Sequence, residues 1–150
     1  MKVVIQRVNQ ASVSIDNENV ALINDGILIL LGIQSQDTNE DSEWLANKVS
    51  QLRIFADKNG KMNKSIKEVN GEVIVVSQFT LYAKTKKGTR PSYIKAAKSD
   101  KALHLYEQFN KNLSLAIGKE VQSGKFGAEM KVSLINDGPV TIIIDTKNKE

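Results

Sequence analysis

Cysteine and histidine, which often serve as the nucleophile or the base of a catalytic site, are nearly missing from this chain of 150 residues. It contains no cysteine and a single histidine, His104, which lies in a segment with helical periodicity. Neither a Ser-His-Asp triad nor a Cys-His pair can be assembled in its usual form from these residues. The sequence also lacks the HExxH, GxSxG and GxGxxG motifs and the phosphate-binding P-loop. We therefore expect a site without a metal or a cofactor. A pair of carboxylates is an alternative, but the 17 acids cluster at helix starts and turns, where capping accounts for them.

Two short segments combine polar side chains with a structural signal. Ser77-Gln78-Phe79-Thr80 follows the β-branched run 73–76, and polar residues at the end of a buried strand commonly line a site. A strand with one polar face is the alternative to a functional site.

The second segment, Asn136-Asp137-Gly138-Pro139, contains a turn signal. An ordinary hairpin is the alternative to a functional role for this segment. An X-Pro bond can be cis, and a cis bond here would direct two successive carbonyls where an amino group could bind.

Positive charge is concentrated in one part of the chain. The formal net charge is +4, and between Lys84 and Lys101 there are seven basic residues and only one acid, Asp100. A basic segment on an otherwise nearly neutral body indicates a polyanionic partner such as a nucleic acid. A solvated lysine-rich loop is the alternative.

The rest of the sequence must supply the elements that position these groups. Apolar runs with alternating or β-branched residues predict strands at 2–8, 11–15, 20–23, 27–33, 72–81, 130–135 and 140–145. The run 27–33 is apolar on both faces, which predicts a central, buried strand. Helical periodicity predicts one helix at about Asn39–Arg53, capped by Asp37 or Thr38, and another at about 100–117. The apolar stripes expected to face the core are Leu45, Val49 and Leu52 in the first helix, and Leu103, Tyr106, Phe109, Leu113 and Ile117 in the second.

These elements predict an α+β fold: a curved, mostly antiparallel β-sheet or barrel with two helices packed outside. The length fits one domain that covers residues 1–150. The longest apolar stretch, 27–33, is far too short to span a membrane, and the N-terminal residues do not form a signal peptide. We therefore expect a cytoplasmic protein with no membrane partner.

Nearly the whole chain resembles the D-aminoacyl-tRNA deacylase family. The resemblance is carried by residues 5–8 (IQRV), 77–81 (SQFTL), 87–92 (KGTRPS), 124–128 (GKFGA) and 136–141 (NDGPVT). Ser77-Gln78-Phe79-Thr80 and Gly138-Pro139 match the family's two defining motifs, in the family's order and spacing. Tyr93 stands where an aromatic such as phenylalanine is common.

The resemblance implies a cytoplasmic homodimer without metal or cofactor that hydrolyses the ester between a D-amino acid and tRNA. It also implies removal of glycine mischarged on tRNA-Ala. The catalytic residues would be Ser77, Gln78, Phe79 and Thr80. The Gly138–Pro139 bond would be cis and would reach into the partner subunit's site, where its carbonyls hold the substrate's α-amino group, and Arg7 would help to hold this motif.

Physical reasoning is consistent with this scheme. A wall of packed main chain would reject the Cβ of an L-residue, but it would admit a D-residue or glycine. Backbone N–H groups near Phe79 and Thr80 would stabilise the oxyanion. The nucleophile is either Thr80 or, as we favour, water assisted by the ribose 2′-hydroxyl, because the site is poor in titratable groups.

We expect basic residues that follow the SQFT motif to contact tRNA phosphates near the acceptor end. They are Lys84, Lys86, Lys87 and Arg90. Two alternatives remain open: a non-catalytic RNA-binding module that uses the same basic loop, and a structural dimer whose motifs serve only the interface.

Overall fold

The computed structural model describes residues 1–150. Eight strands, two α-helices and one 3-10 turn follow one another along the chain. In chain order they are β1 (Lys2–Ile15), β2 (Glu18–Ile23), β3 (Gly26–Gly32), α1 (Asn39–Gln51), β4 (Phe55–Ala56), β5 (Met62–Lys64), β6 (Glu72–Ser77), the 3-10 turn (Phe79–Tyr82), α2 (Ser99–Ile117), β7 (Gln122–Ser123) and β8 (Lys131–Asp145). This confirms the expected α+β class with two helices. No helix is both long and apolar enough to cross a membrane.

The main sheet is built around β1. Its strand order is β2-β1-β3-β6-β7, and β8 also pairs with β1. β1 is antiparallel to β2, β3 and β8, whereas the β3–β6 and β6–β7 pairs are parallel. Parallel neighbours require a crossover connection, and α1 and α2 lie in those two connections. The long pairing of β1 with β8 gives the sheet its barrel-like form.

The central strand β3 is buried on both faces, as its sequence predicted. Ile27, Ile29 and Leu31 belong to a cluster of 21 buried residues that also contains the inner faces of both helices. Leu28 points to the opposite face of the sheet. It belongs to a second cluster of 8 buried residues, which come from β1, β2, β3 and β6. Because successive side chains of a strand alternate between faces, an apolar run can contribute to two cores.

Both helices were predicted within about two residues of their ends. Thr38 is the N-cap of α1 and forms a capping box with Asp41, whereas Asp37 is fully buried and binds the N-terminal ammonium of Met1 at 2.6 Å. In α2, the prediction for Leu103 was wrong, because this side chain is exposed and Leu105 is buried instead. The two residues lie about 200° apart around the helix, so they cannot share one face.

The extents of β1, β6 and β8 differ most from the prediction, and the short strands β4, β5 and β7 were not predicted. β1 runs without interruption through residues 9 and 10, and β6 ends at Ser77 rather than at Leu81. The third difference is β8, which continues in one direction through residues 136–139, so these residues do not form a hairpin. Gln6 pairs with Thr141 and Val8 pairs with Asn136. The residues 137–140 therefore bulge out of the ladder opposite the one residue between those pairs.

Candidate active site

A cleft of about 540 Å³ opens where β6 ends. It is lined by 15 residues, of which 11 are hydrophobic: Leu31, Ile33, Val76, Ser77, Gln78, Phe79, Ala96, Ala97, Ser99, Ala102, Phe126, Gly127, Ala128, Met130 and Val132. Its size and apolar lining suit a small-molecule group, for which such clefts usually hold 300–1,000 Å³. None of these side chains titrates near neutral pH. Any chemistry in the cleft must therefore use backbone groups, neutral polar side chains or the substrate itself. We call it the catalytic cleft below.

The 3-10 turn that follows β6 begins beside this cleft with two backbone amides that precede its first internal hydrogen bond. The Gln78 N–H donates to the Leu31 carbonyl at 2.8 Å, and the chain then winds into the 3-10 turn. The first hydrogen bond of the turn runs from Leu81 N–H to the Gln78 carbonyl at 3.2 Å. The amides of Phe79 and Thr80 precede it, so they have no partner within the turn. Two adjacent N–H groups of this kind can stabilise a developing negative charge.

Gly32 determines how closely the 3-10 turn approaches β3. A Cβ atom at this position would lie 3.0 Å from the Leu81 Cβ and 3.1 Å from the Gln78 carbonyl oxygen. Both distances are shorter than ordinary van der Waals contact, so only glycine fits without a shift of the turn. Sequence reasoning missed this residue, although a glycine that interrupts an apolar strand is a sign of close backbone approach.

Within the SQFT motif, the side chains of Gln78 and Thr80 contact each other, whereas the side chain of Phe79 is largely exposed. The Gln78 side-chain amide donates to the Thr80 hydroxyl. An amide N–H cannot accept a proton, so this contact orients Thr80 without activating it as a nucleophile. The Phe79 ring is 56% exposed and packs edge-on against Tyr93, with 5.0 Å between ring centroids. Thr80 itself is not among the residues that line the catalytic cleft.

Tyr106 ties helix α2 to the end of β6. Its hydroxyl donates to the Val75 carbonyl at 2.8 Å, and its ring packs on Phe126 with 5.7 Å between centroids. Burial raises the pKa of Tyr106, so this side chain stays neutral and remains a donor. Because Phe126 lines the catalytic cleft, the same contact positions one of its walls.

Arg7 holds the bulge in β8. Its Nε donates to the Asp137 carbonyl at 3.2 Å and lies 3.1 Å from the Asp137 carboxylate. The Nη1 atom of the same guanidinium group donates to the Ile54 carbonyl at 2.6 Å. The Asn136 side-chain amide bridges the base of the bulge, because it donates to the carbonyls of Arg7 at 3.1 Å and Val140 at 2.9 Å.

The tip of the bulge is Gly138-Pro139, and the bond between these residues is cis. Gly138 has φ +128°, in the region that favours glycine, and a Cβ there would lie 3.0 Å from an Arg7 nitrogen. Both residues of the tip are exposed. Gly138, Pro139 and Arg7 do not line the catalytic cleft of their own chain. The structure therefore brings Ser77, Gln78 and Phe79 together, and it keeps the bulge apart from them.

The predicted phosphate-binding residues lie on an exposed loop after the 3-10 turn. Lys84 pairs with Ser92 through two backbone hydrogen bonds of 2.8 and 3.0 Å, which close the loop that contains Lys86, Lys87 and Arg90. All four basic side chains are exposed. His104 is exposed on α2 and does not line the catalytic cleft.

Comparison with known proteins identifies the family to which the chain belongs. The sequence model of the family described as D-Tyr-tRNA(Tyr) deacylase matches residues 4–145, which span both the SQFT motif and the bulge. The chain belongs to this deacylase family. Proteins named D-aminoacyl-tRNA deacylase from Flavobacterium psychrophilum and Bacteroides fragilis are similar to it, with 65% and 62% identity over 100% of both chains.

Two solved structures share the fold of this chain. A protein titled c-Myc DNA Unwinding Element Binding Protein superimposes with a TM-score of 0.92 at 39% identity, covering 97% of this chain and 98% of that one. A structure described as a probable eukaryotic D-amino acid tRNA deacylase has a TM-score of 0.83 at 18% identity, covering 95% and 97%. The second likeness is one of fold alone.

Proposed function

We propose that this deacylase-family chain hydrolyses the ester bond of D-aminoacyl-tRNA and releases the free amino acid and tRNA. The observation that carries the proposal is the catalytic cleft, which has no titratable lining residue and lies beside two adjacent amides without partners in their turn. Ester hydrolysis by such a site needs only a bound water and a stabilised oxyanion. The names of the relatives, which match over their full length, agree with this reaction.

In the proposed mechanism, water attacks the ester carbonyl carbon and the carbonyl electrons move to oxygen. The amides of Phe79 and Thr80 donate to this oxyanion, and one such donor is worth about 3–4 kcal/mol. The tetrahedral intermediate collapses, and the ribose 3′-oxygen leaves with a proton. The neighbouring 2′-hydroxyl accepts the proton that the attacking water loses and passes its own proton to the 3′-oxygen. We prefer it to Thr80 as the participating hydroxyl, because the hydrogen-bond partner of Thr80 is an amide donor rather than a base.

Selection between mirror-image substrates is proposed to come from main chain. The Gly138 and Pro139 carbonyls of the partner subunit would hold the substrate's α-amino group in the catalytic cleft. An L-residue would then drive its Cβ into packed backbone, whereas a D-residue would direct its side chain away. Glycine has no Cβ, so glycyl-tRNA would also be a substrate. The contacts of Arg7 and Asn136 support this role, because they fix the exposed tip of the bulge.

The chain is proposed to act as a single-domain subunit of a homodimer. β8 pairs only with β1, so one edge of this strand is free. Ile135 and Ile143 flank the bulge on β8 and are 58% and 67% exposed. An exposed strand edge with apolar side chains is suited to pairing with another chain. A second copy seated there would bring its bulge towards the first copy. We further propose that the enzyme acts in the cytoplasm, where aminoacyl-tRNA is used.

The tRNA is proposed to contact the basic loop through its phosphates. Lys84, Lys86, Lys87 and Arg90 are exposed and lie just after the 3-10 turn that borders the catalytic cleft. Contacts of this kind position the acceptor end without reading its sequence. Binding should weaken steeply with salt, and a dissociation constant that stays flat from low to physiological salt would contradict this assignment.

The deciding experiment compares matched D- and L-aminoacyl-tRNA, together with glycyl-tRNA, at catalytic amounts of protein. We expect multiple turnovers of the D and glycyl esters and little hydrolysis of the L ester. Equal cleavage of both mirror images would contradict the main-chain filter. Binding without turnover would instead favour the RNA-binding module. A terminal 2′-deoxyribose should abolish turnover, and unchanged turnover would contradict the assisted-water mechanism.

A further inference from the structure

A second cleft lies on the other side of the 3-10 turn. It has a volume of about 310 Å³ and is lined by Lys2, Gln34, Gln36, Leu81, Tyr82, Ala83, Lys84, Lys95, Asp145, Lys147 and Asn148. Four of these residues are lysines and only one is an acid. We call it the lysine cleft. Of its lysines, only Lys84 belongs to the basic loop discussed above.

Four separate segments bring the lysines together. Lys2 begins β1 and pairs with Asp145 at the end of β8, and Lys147 follows two residues later. Lys84 is fixed by its backbone bridge to Ser92. The Lys95 carbonyl accepts a hydrogen bond of 3.2 Å from the Ser35 amide. The Lys147 amide donates to the Asp145 carboxylate at 3.0 Å, so all four lysines extend from hydrogen-bonded backbone and line the same cleft.

The acids near the lysine cleft do not neutralise all four lysines. Lys2 lies 3.5 Å from the Asp145 carboxylate, and Lys147 lies 2.7 Å from that of Asp41. Lys84 and Lys95 take part in none of the four ion pairs of the chain. Like charges gathered in a concave surface focus a positive potential and attract an anion. Two ammonium groups therefore remain free to bind one.

The 3-10 turn is the wall between the two clefts. Phe79 at its start lines the catalytic cleft, and Tyr82 at its end lines the lysine cleft. Tyr82 is 6% exposed, and its hydroxyl has no hydrogen-bond partner within the protein. A 3-10 helix rises about 2.0 Å per residue, so the two residues are about 6 Å apart along the turn. A stacked nucleic-acid strand advances about 3.4 Å per nucleotide and an extended strand advances further, so this span corresponds to one or two nucleotides.

We propose that the lysine cleft binds a backbone phosphate of the unpaired acceptor end, one or two nucleotides from the ester in the catalytic cleft. This inference rests on the proposed function, and it adds the route that the acceptor end of the tRNA takes across the surface of the protein. A strand whose terminal ribose sits in the catalytic cleft would cross the 3-10 turn and place its phosphate between Lys84 and Lys95. Lysine ammonium groups suit this role, because they act as point charges towards phosphate.

The test uses Lys95→Ala, with Lys95→Arg to retain the charge and Lys111→Ala as a matched control. Lys111 is exposed on α2 and lines neither cleft. Each variant is assayed on D-aminoacyl-tRNA and on the same amino acid esterified to adenosine, which carries no phosphate. For the tRNA substrate, Lys95→Ala should raise KM about fivefold with kcat nearly unchanged, and should lessen the salt slope of binding by about 0.7. Hydrolysis of the adenosine ester should not change, and Lys95→Arg should keep most of the affinity for tRNA.

The dissociation constant for uncharged tRNA is measured in parallel. It tests the lysine cleft even if the chain hydrolyses neither ester, a result that would refute the proposed function alone. Weaker binding of uncharged tRNA by Lys95→Ala than by Lys111→Ala supports the lysine cleft. Equal affinity and equal salt dependence of those two variants would overturn the inference. So would an equal loss of activity on both esters, because that pattern would mean that Lys95 supports the catalytic cleft rather than a phosphate.

Discussion

Replacing Gly32 with alanine tests whether the position of the 3-10 turn matters for catalysis. The added Cβ would lie 3.0 Å from the Leu81 Cβ, 3.1 Å from the Gln78 carbonyl oxygen and 3.3 Å from Tyr82 Cδ2. Relaxing all three contacts to ordinary van der Waals distance requires a shift of about 0.5 Å, because carbon atoms pack best at about 3.5–4.0 Å. Two of the three partners are main chain or a Cβ atom, so the turn itself must move.

That shift acts directly on the proposed oxyanion site. Donor distances of about 2.7–3.1 Å are needed for effective stabilisation, and a misplacement of about 1 Å can cost about a hundredfold in rate. We expect Gly32→Ala to lower kcat for D-aminoacyl-tRNA about tenfold while KM changes little. Overpacking of a tight site should also lower the free energy of unfolding by about 1–3 kcal/mol.

The matched control is Gly71→Ala, which makes the same chemical change away from both clefts. Its Cβ would meet Ile66 Cδ1, the end of a flexible side chain. Single-turnover hydrolysis and urea unfolding are measured on both variants. The control should lose stability and keep kcat. If the two variants lost stability to a similar degree and kept the same kcat, the turn would have no precise catalytic role, and the assignment of the Phe79 and Thr80 amides would be wrong.

Three further predictions concern single side chains. Thr80→Ala should keep kcat within about tenfold of the unchanged protein, and a loss beyond about a thousandfold in single-turnover assays would indicate covalent catalysis. Arg7→Met removes the contacts to Asp137 and Ile54, so kcat/KM for D-esters should fall by at least about tenfold. An unchanged kcat/KM would mean that the bulge does not take part in substrate binding. Burial alone would raise the pKa of Asp41, but hydrogen bonds from Lys147 and the Thr38 backbone outweigh it and hold the pKa below its usual range. The stability that Asp41 contributes is thus present above about pH 4 and is lost as the pH falls through the lowered pKa. In urea unfolding, the deficit of Asp41→Asn should shrink at acid pH, and a constant deficit would contradict this account.

Local sequence patterns determined the elements of this protein. The two-sided apolar run of β3, the apolar stripes of both helices and the cap at Thr38 depend on neighbouring residues, and they were predicted close to their observed places. The SQFT segment and the basic loop were likewise recognisable, because each is continuous in the chain. Leu103 shows the limit of this reasoning, since its helix could place either of two stripes towards the core.

Only the tertiary structure decided how distant segments meet. The residues at 136–139 carry every local sign of a hairpin, yet β8 continues through them, because β1 is long enough to pair with both halves of β8. The same pairing brings Lys2, from one end of the chain, to Lys147 near the other, and so builds a cleft that no local pattern reveals. Gly32 and Gln78 are 46 positions apart, and their close approach appears only once β3 and β6 lie side by side. Contacts between residues far apart in sequence depend on strand pairing and register, which the spacing of nearby residues does not encode.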